Sequence, residues 1–553
     1  MLGQSKIKTL LLGASALAFL AGPATAGGYI QTLGLGQRTS SLAGAVTAKS
    51  QDFDAFYTNP AGAADFDTPL IGLTAKIIDT TPLDENINDG SPAGHSITNT
   101  WQGEPVAIAP ATGAYLPLIP GSVVAGLGIG APFALTADYA DQPFGTIVSN
   151  ENTSDIEFLY IEAVPTVAVK LTDRISIGGS VNIGLAKHVK ESIRVDSVAG
   201  TGVSGEFFLE SDNDLPLPVA PWEFSTDPTA VTFTLGTQIK LTDTLKFGLT
   251  YREETPNQYE GDVRFFTQVP GALLVGTPFA GNTVSACVGP PEQAGVCDLN
   301  FGIERFRLDL ELPRHLQFGF EWWALPNWAL SFDAQWTNWS DATGWGSPIE
   351  IQLTQTQSVN AINNFSVGIG GLLNLLSTLP AIGGNGVDCG VNAVNLPCGI
   401  NATFFNYNAR DTWSFMVGSE YVLNDTWTLL TGYQYNQSFM PKENRDWITY
   451  DTDKHFITGG VEYTTPSPFG ELKLNLGGQL VIYEDETIQA GQSTTAGGVG
   501  PNASLGGFGA SPASNSITPL NAIGFGTNEL PFSQGGYLWT IGMGATLRFG
   551  AGG

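Results

Sequence analysis

Apolar residues alternate with small or polar ones over many stretches of this chain, a period of two that marks strands with one apolar face. The pattern and its bounding turns predict strands at about 68–79, 105–117, 121–136, 155–171, 173–190, 228–241, 244–266, 301–323, 326–341, 410–424, 425–440, 452–465, 470–488 and 533–549, fourteen in all. The last alternates most cleanly. Tyr537, Trp539, Ile541, Met543, Ala545, Leu547 and Phe549 share one face, while Thr540, Gly542, Gly544, Thr546 and Arg548 share the other. The connections alternate too. Leu116 to Gly121, Thr172-Asp173, Thr242-Asp243, Ala324 to Asn327, Asn424-Asp425 and Thr465 to Gly470 are short, and the links between them run from about ten to about seventy residues. Short turns in strict alternation with long loops suit an outer-membrane barrel, its apolar side chains toward lipid; a soluble sandwich turns its apolar face inward. The expected fold is therefore an all-β membrane protein, a 14-stranded antiparallel transmembrane β-barrel over 67–549, with a short tail at 550–553.

The ends and the composition narrow this further. Lys6 and Lys8, the apolar run from Leu10 to Leu20 and Ala24-Thr25-Ala26 read as a signal peptide over 1–26. The run is about half the roughly 20 residues a spanning helix needs. Residues 27–66 precede the first strand without alternating, and Phe56-Tyr57 with the rigid Asn59-Pro60 turn favour a packed element, a plug for the lumen, over a disordered leader. With 23 Lys plus Arg against 52 Asp plus Glu, the chain lacks the clustered cations that a nucleic-acid partner requires. The four cysteines form two close pairs, Cys287 with Cys297 and Cys389 with Cys398. Two disulfides local to loops are the economical reading for an exported chain. A metal site competes, but the spacing is wide for a Cys-x-x-Cys half site and no His lies near either pair.

Two patches carry a family resemblance: Asp54-Ala55-Phe56-Tyr57-Thr58-Asn59-Pro60-Ala61-Gly62, and Asp333-Ala334-Gln335-Trp336-Thr337-Asn338-Trp339-Ser340. They resemble the FadL family of outer-membrane transporters for long-chain fatty acids and aromatic hydrocarbons, also written OmpP1/FadL/TodX. Weaker similarities follow in the same order at Ala131-Pro132-Phe133-Ala134-Leu135, Gly248-Leu249-Thr250-Tyr251-Arg252 and Asp411-Thr412-Trp413. The resemblance implies a fourteen-stranded barrel closed by an N-terminal hatch ending in Asn59, Pro60, Ala61 and Gly62. It also implies capture of a hydrophobic compound outside, an apolar lumen, and lateral exit where the third strand is kinked. Here that strand holds Gly128, Gly130, Pro132 and Phe133, and a proline removes a ladder hydrogen bond while glycines permit a bend. A strand that ends before Pro132 is the alternative.

The expected partners are a hydrophobic small molecule and outer-membrane lipid, in a monomer of the Gram-negative outer membrane, with no nucleic acid, cofactor or metal. Parity along 301–323 places Phe306, Leu308, Leu310 and Leu312 toward lipid and leaves Arg305 and Arg307 inside, as contacts for a ligand head group or as partners of Asp309, Glu311 or Asp333. In 326–341 it places Leu330, Phe332 and Trp336 toward lipid and Asp333, Gln335 and Thr337 in the lumen, the tryptophans reading as interfacial girdle. Asp333 becomes a candidate anchor for the hatch through its place in the family motif. The apolar runs Val269 to Phe279 and Phe365 to Ile382 either capture ligand or cap the barrel mouth. His95, His188, His315 and His455 are scattered, and no Gly-x-Ser-x-Gly or His-Glu-x-x-His is present, so an enzyme is not expected. A general diffusion porin or a surface adhesin remains as the alternative function.

Overall fold

The computed structural model describes residues 34–79, 83–88, 96–100, 107–139, 153–195, 204–211, 230–270, 285–287, 296–347, 349–355, 400–405, 407–445, 451–488 and 532–550. The signal peptide, Cys389, Cys398, the run Phe365 to Ile382 and most of Val269 to Phe279 lie outside the described residues.

The strands in chain order are β1 (Leu70–Asp79), β2 (Leu83–Asn88), β3 (Ser96–Thr100), β4 (Ala107–Ile119), β5 (Val123–Tyr139), β6 (Thr153–Thr172), β7 (Ile175–Val195), β8 (Ser204–Ser211), β9 (Val231–Lys240), β10 (Leu245–Arg252) and β11 (Gln258–Pro270). They continue with β12 (Ser285–Cys287), β13 (Val296–Asp309), β14 (His315–Leu325), β15 (Trp328–Thr337), β16 (Ile349–Gln355), β17 (Ile400–Phe405), β18 (Thr412–Val422), β19 (Trp427–Asn436), β20 (Lys454–Ser467), β21 (Gly470–Ile488) and β22 (Phe532–Phe549). Fourteen of these are staves of one antiparallel ring: β1, β4, β5, β6, β7, β9, β10, β14, β15, β18, β19, β20, β21 and β22. Each pairs with the next, and β22 pairs back onto β1 from Leu70↔Arg548 to Asp79↔Trp539, which closes the ring and leaves no edge. All six predicted short turns join neighbouring staves. The end of β22 meets the start of β1, where Phe549 N donates to Pro69 O at 2.8 Å.

The alternation along the staves is a lipid-against-lumen alternation. On β22, Tyr537, Ile541 and Met543 are exposed while Thr540 and Thr546 are buried; on β15, Phe332 is exposed and Asp333, Gln335 and Thr337 are buried. Leucines, valines and aromatics such as Leu235, Trp322, Phe415, Tyr433 and Leu476 extend the exposed apolar surface around the ring. That is the surface a bilayer requires of a closed barrel.

Two predicted strands divide. The span 244–266 breaks after Arg252 into β10 and β11, and 301–323 breaks into β13 and β14, because the outer halves leave the ring and pair with one another instead. Together with β8, β12, β16 and β17, which fall in links expected to be loops, they form an extension above the staves, β8 pairing with β7 and β11, and β13 with β11, β12 and β16. There the alternation has the opposite sense to that expected. Phe306, Leu308, Leu310 and Leu312 are buried, and Arg305 and Arg307 are partly exposed. The physical reason is the outer medium: beyond the lipid it is water, so the apolar face turns inward as in a soluble sheet. Within the same extension Cys287 and Cys297 are directly opposed in the β12–β13 register, a backbone pairing compatible with a disulfide.

Candidate functional site

Residues 34–66 fold into a helix over Gln37–Ser41, a single turn over Ala55–Thr58 and a 3-10 turn over Pro60–Asp65. They contact staves on every side. Gln37 N donates to Thr74 Oγ1 of β1, Phe56 N to Tyr115 Oη of β4, Thr458 Oγ1 of β20 to Ser41 O, Gln479 Nε2 of β21 to Ser40 O and Thr546 Oγ1 of β22 to Asp52 Oδ1, at 2.6–3.2 Å. A segment that meets staves all around a closed ring lies inside it.

Asn59 ties this segment to one wall. Its side chain accepts from Ala61 N at 3.1 Å, capping the turn that Pro60 begins, and its Nδ2 lies 2.8 Å from Thr47 O, 3.1 Å from Thr237 O on β9 and 3.4 Å from Leu249 O on β10. The amide is wholly buried. The stave behind it has Gly236, where a Cβ would stand 2.0 Å from Asn59 Oδ1. On the neighbouring wall Thr47 N donates to Asp333 Oδ2 at 2.9 Å, and Gln317 Nε2 donates to the same oxygen at 3.0 Å. So Asp333 does hold the N-terminal segment, as its motif suggested.

Charge holds the third side. Arg38 reaches Glu420 at 2.6 Å and Glu462 at 3.1 Å, while Lys49 reaches Glu321 at 2.9 Å and Glu420 at 3.0 Å. Two cations of the segment are thus matched by three carboxylates on β14, β18 and β20, all largely shielded from solvent, where attraction is screened less than at a surface. Within the segment burial, reinforced by Asp52, pushes the Asp54 carboxyl up to about 6; Asp54 Oδ2 accepts from Gly36 N at 2.9 Å.

The fourth side is apolar and meets the proline strand. Leu35, Phe53, Phe56 and Phe66 share a core with Tyr115, Val124, Val164 and Ala168 of β4, β5 and β6. Phe56 lies on Gly128, where a Cβ would fall 2.1 Å from its ring, and Leu35 lies on Gly130. Beside this contact the wall changes. The β4–β5 ladder runs from Ile119↔Val123 to Thr112↔Ile129, and among the described residues no β4–β5 pair forms beyond it. The outer part of β4 continues along β1 to Ile78↔Ala107. The outer part of β5 continues along β6, stepping from Gly130↔Glu162 to Phe133↔Tyr160 across a bulge that holds Ala131 and Pro132. The strand thus bends at Pro132 and continues to Tyr139.

The other sequence candidates lie apart from this wall. Arg305 is paired with Asp262 at 2.9 Å and Arg307 stands 3.8 Å from Asp309, both in the extension. Trp339, expected in the girdle, is instead buried, stacked on Phe439 at 4.1 Å and edge-on to Trp345, because its strand has already left the lipid-facing register at Thr337. Its motif neighbours Asn338 and Ser340 both bind Asp411 Oδ1, which joins two of the family-like patches in space.

A pair that the sequence reading passed over occupies the interior. Arg252 of β10 grips Glu162 of β6 with both arms, the first at 2.9 Å, and the guanidinium lies 5.7 Å from the Tyr57 ring. Both side chains are almost wholly buried. Parity places each in the lumen, but their pairing joins strands 90 residues apart.

The sequence profile of one family, described as outer membrane protein transport protein (OMPP1/FadL/TodX), matches residues 17–504. The chain belongs to that family. Its members are outer-membrane transporters of hydrophobic compounds, and the fold agrees. A FadL homologue of Pseudomonas aeruginosa is 15% identical, with a TM-score of 0.60 over 94% of this chain and 99% of its own. The Pseudomonas putida toluene transporter TodX is also 15% identical, with a TM-score of 0.56 over 94% and 99%. The Ralstonia pickettii toluene transporter TbuX is 14% identical, with a TM-score of 0.52 over 94% and 99%. No curated protein sequence matches the chain. This family member therefore sits in the outer membrane of a Gram-negative cell as a closed 14-stranded barrel.

Proposed function

We propose that this protein admits uncharged or weakly charged hydrophobic molecules, long-chain fatty acids or hydrocarbons, through the outer membrane, with residues 27–66 as the hatch and exit sideways between β4 and β5. A monomer suits this reading, because β1 and β22 complete the ring within one copy and no second chain is needed to close the barrel. The supporting observation is the coincidence of three features on one wall: the end of the β4–β5 ladder at Thr112↔Ile129, the bulge at Pro132, and the seat of Phe56 on Gly128. An apolar solute gains roughly 25 cal/mol per Å² on leaving water, so a route from an apolar interior into lipid avoids re-exposing it. Gly128, Gly130, Pro132 and Phe133 form the frame of that exit. A straight lumen to the periplasm would require the whole hatch to leave. Lateral exit requires only local movement beside Phe56.

The test is uptake by cells lacking their own porter, with oleate, toluene and an alkane offered in turn. Pro132→Val, which can restore a ladder hydrogen bond, lowers uptake several-fold while the barrel stays heat-modifiable and inserted. Unaltered uptake in that variant would rule out the lateral route. Failure to take up any of the three by the wild type would rule out the transport assignment for these substrates.

A further inference from the structure

Around the Arg252–Glu162 pair the interior holds buried polar side chains that neither the ladders nor the ion pairs use. Tyr160 on β6, Thr232 on β9, and Thr255 and Asn257 between β10 and β11 are each at most 6% exposed. The Tyr160 hydroxyl, both threonine hydroxyls and both amide atoms of Asn257 have no hydrogen-bond partner among the described residues. A buried polar group without a partner is costly, so five such atoms on these four side chains call for an explanation.

The register draws them together. Arg252 is opposite Thr234, which shares a face with Thr232, and Thr232 is opposite Asn182 on β7. Two residues along β7 is Gly184, whose absent Cβ would lie 3.0 Å from the Tyr160 hydroxyl. Asn257 and Thr255 are joined by backbone hydrogen bonds of 2.9 Å to Leu310 and Leu312, members of the buried apolar row that Phe306 and Leu308 begin. Polar groups thus border an apolar row.

We infer that this place receives the polar end of an uncharged hydrophobic molecule, one carrying a hydroxyl group, with its hydrocarbon part along the apolar row. The inference rests on the transport assignment and specifies its substrate class. Hydroxyls and an amide both donate and accept, which suits an alcohol, whose own hydroxyl does the same. A carboxylate only accepts, so Asn257 Oδ1 would stay without a donor. It would also stand beside Glu162, whose charge already engages Arg252. A plain hydrocarbon would leave every one of these groups unpaired, the condition under which polar sites discriminate most strongly.

Equilibrium dialysis of labelled 1-decanol, decane and decanoate at pH 8 against the purified full barrel in detergent, with protein-free micelles subtracted, tests this. The expected result is decanol bound at least about tenfold more tightly than either other probe, with Asn257→Leu abolishing the preference over decane. Should that variant fail to give a heat-modifiable barrel, Thr232→Val and Thr255→Val serve, each reducing the preference in part. Decanoate bound as tightly as decanol, or decanol no better than decane, overturns the inference. Decane uptake by wild-type cells without any decanol preference overturns it alone, whereas absence of uptake of every hydrophobic probe removes the transport assignment as well.

Discussion

Asn59 shows how much one side chain can carry in this lumen. It caps a turn, spans to Thr47, and bridges β9 and β10 through their carbonyls. Asn59→Ala removes all of these together, a cost of about 1–3 kcal/mol in the docking of the N-terminal segment. The expected outcome is a raised ion conductance in planar bilayers with the barrel intact; conductance equal to wild type would mean that Asp333 and the glutamates hold the segment without it. Asn59 stood out in the sequence through the Asn-Pro-Ala-Gly motif. Its partners were not, because Thr237 and Leu249 contribute only backbone oxygens, which no side-chain pattern reveals.

At the scale of elements, the contact between the N-terminal segment and β5 is a matter of fit. Gly128 leaves room for Phe56, and Gly128→Val fills that room, costing about 1–3 kcal/mol by overpacking and displacing the ring. If exit runs by the proposed lateral route, uptake should fall, and adding Phe56→Ala should bring it back toward the wild-type rate. A double variant no different from Gly128→Val would show that the two residues act separately. The glycines and Pro132 were legible as a bend in the third strand. The place where the ladder ends was not, since it depends on β4 turning toward β1.

At the scale of the whole molecule, a closed ring makes the apolar outer band obligatory. Leu476 lies six residues above the turn at Gly470, on the exposed face beside Met543. Leu476→Arg should destabilise the barrel by about 2–4 kcal/mol, the cost of a cation near the bilayer midplane, measured by reversible unfolding in urea with lipid vesicles. No change would place this band outside the lipid. The same closure explains why the N-terminal segment can be gripped from so many directions: Arg38 and Lys49 meet acids from β14, β18 and β20, and Phe56 meets β5.

Local patterns in the amino-acid order were enough for the number of staves, the alternation of short turns with long links, the inward place of Asp333 and the presence of an element before the first strand. Each follows from a local rule, period two or turn chemistry, that acts within a few residues. Tertiary structure decided the rest. Arg252 meets Glu162 because the ring carries β6 and β10 to facing positions, and Phe56 finds Gly128 because the segment folds back inside. The sense of the row from Phe306 to Leu312 was reversed for a related reason: alternation records that one face is apolar, and only the medium on each side of the strand decides which way that face turns.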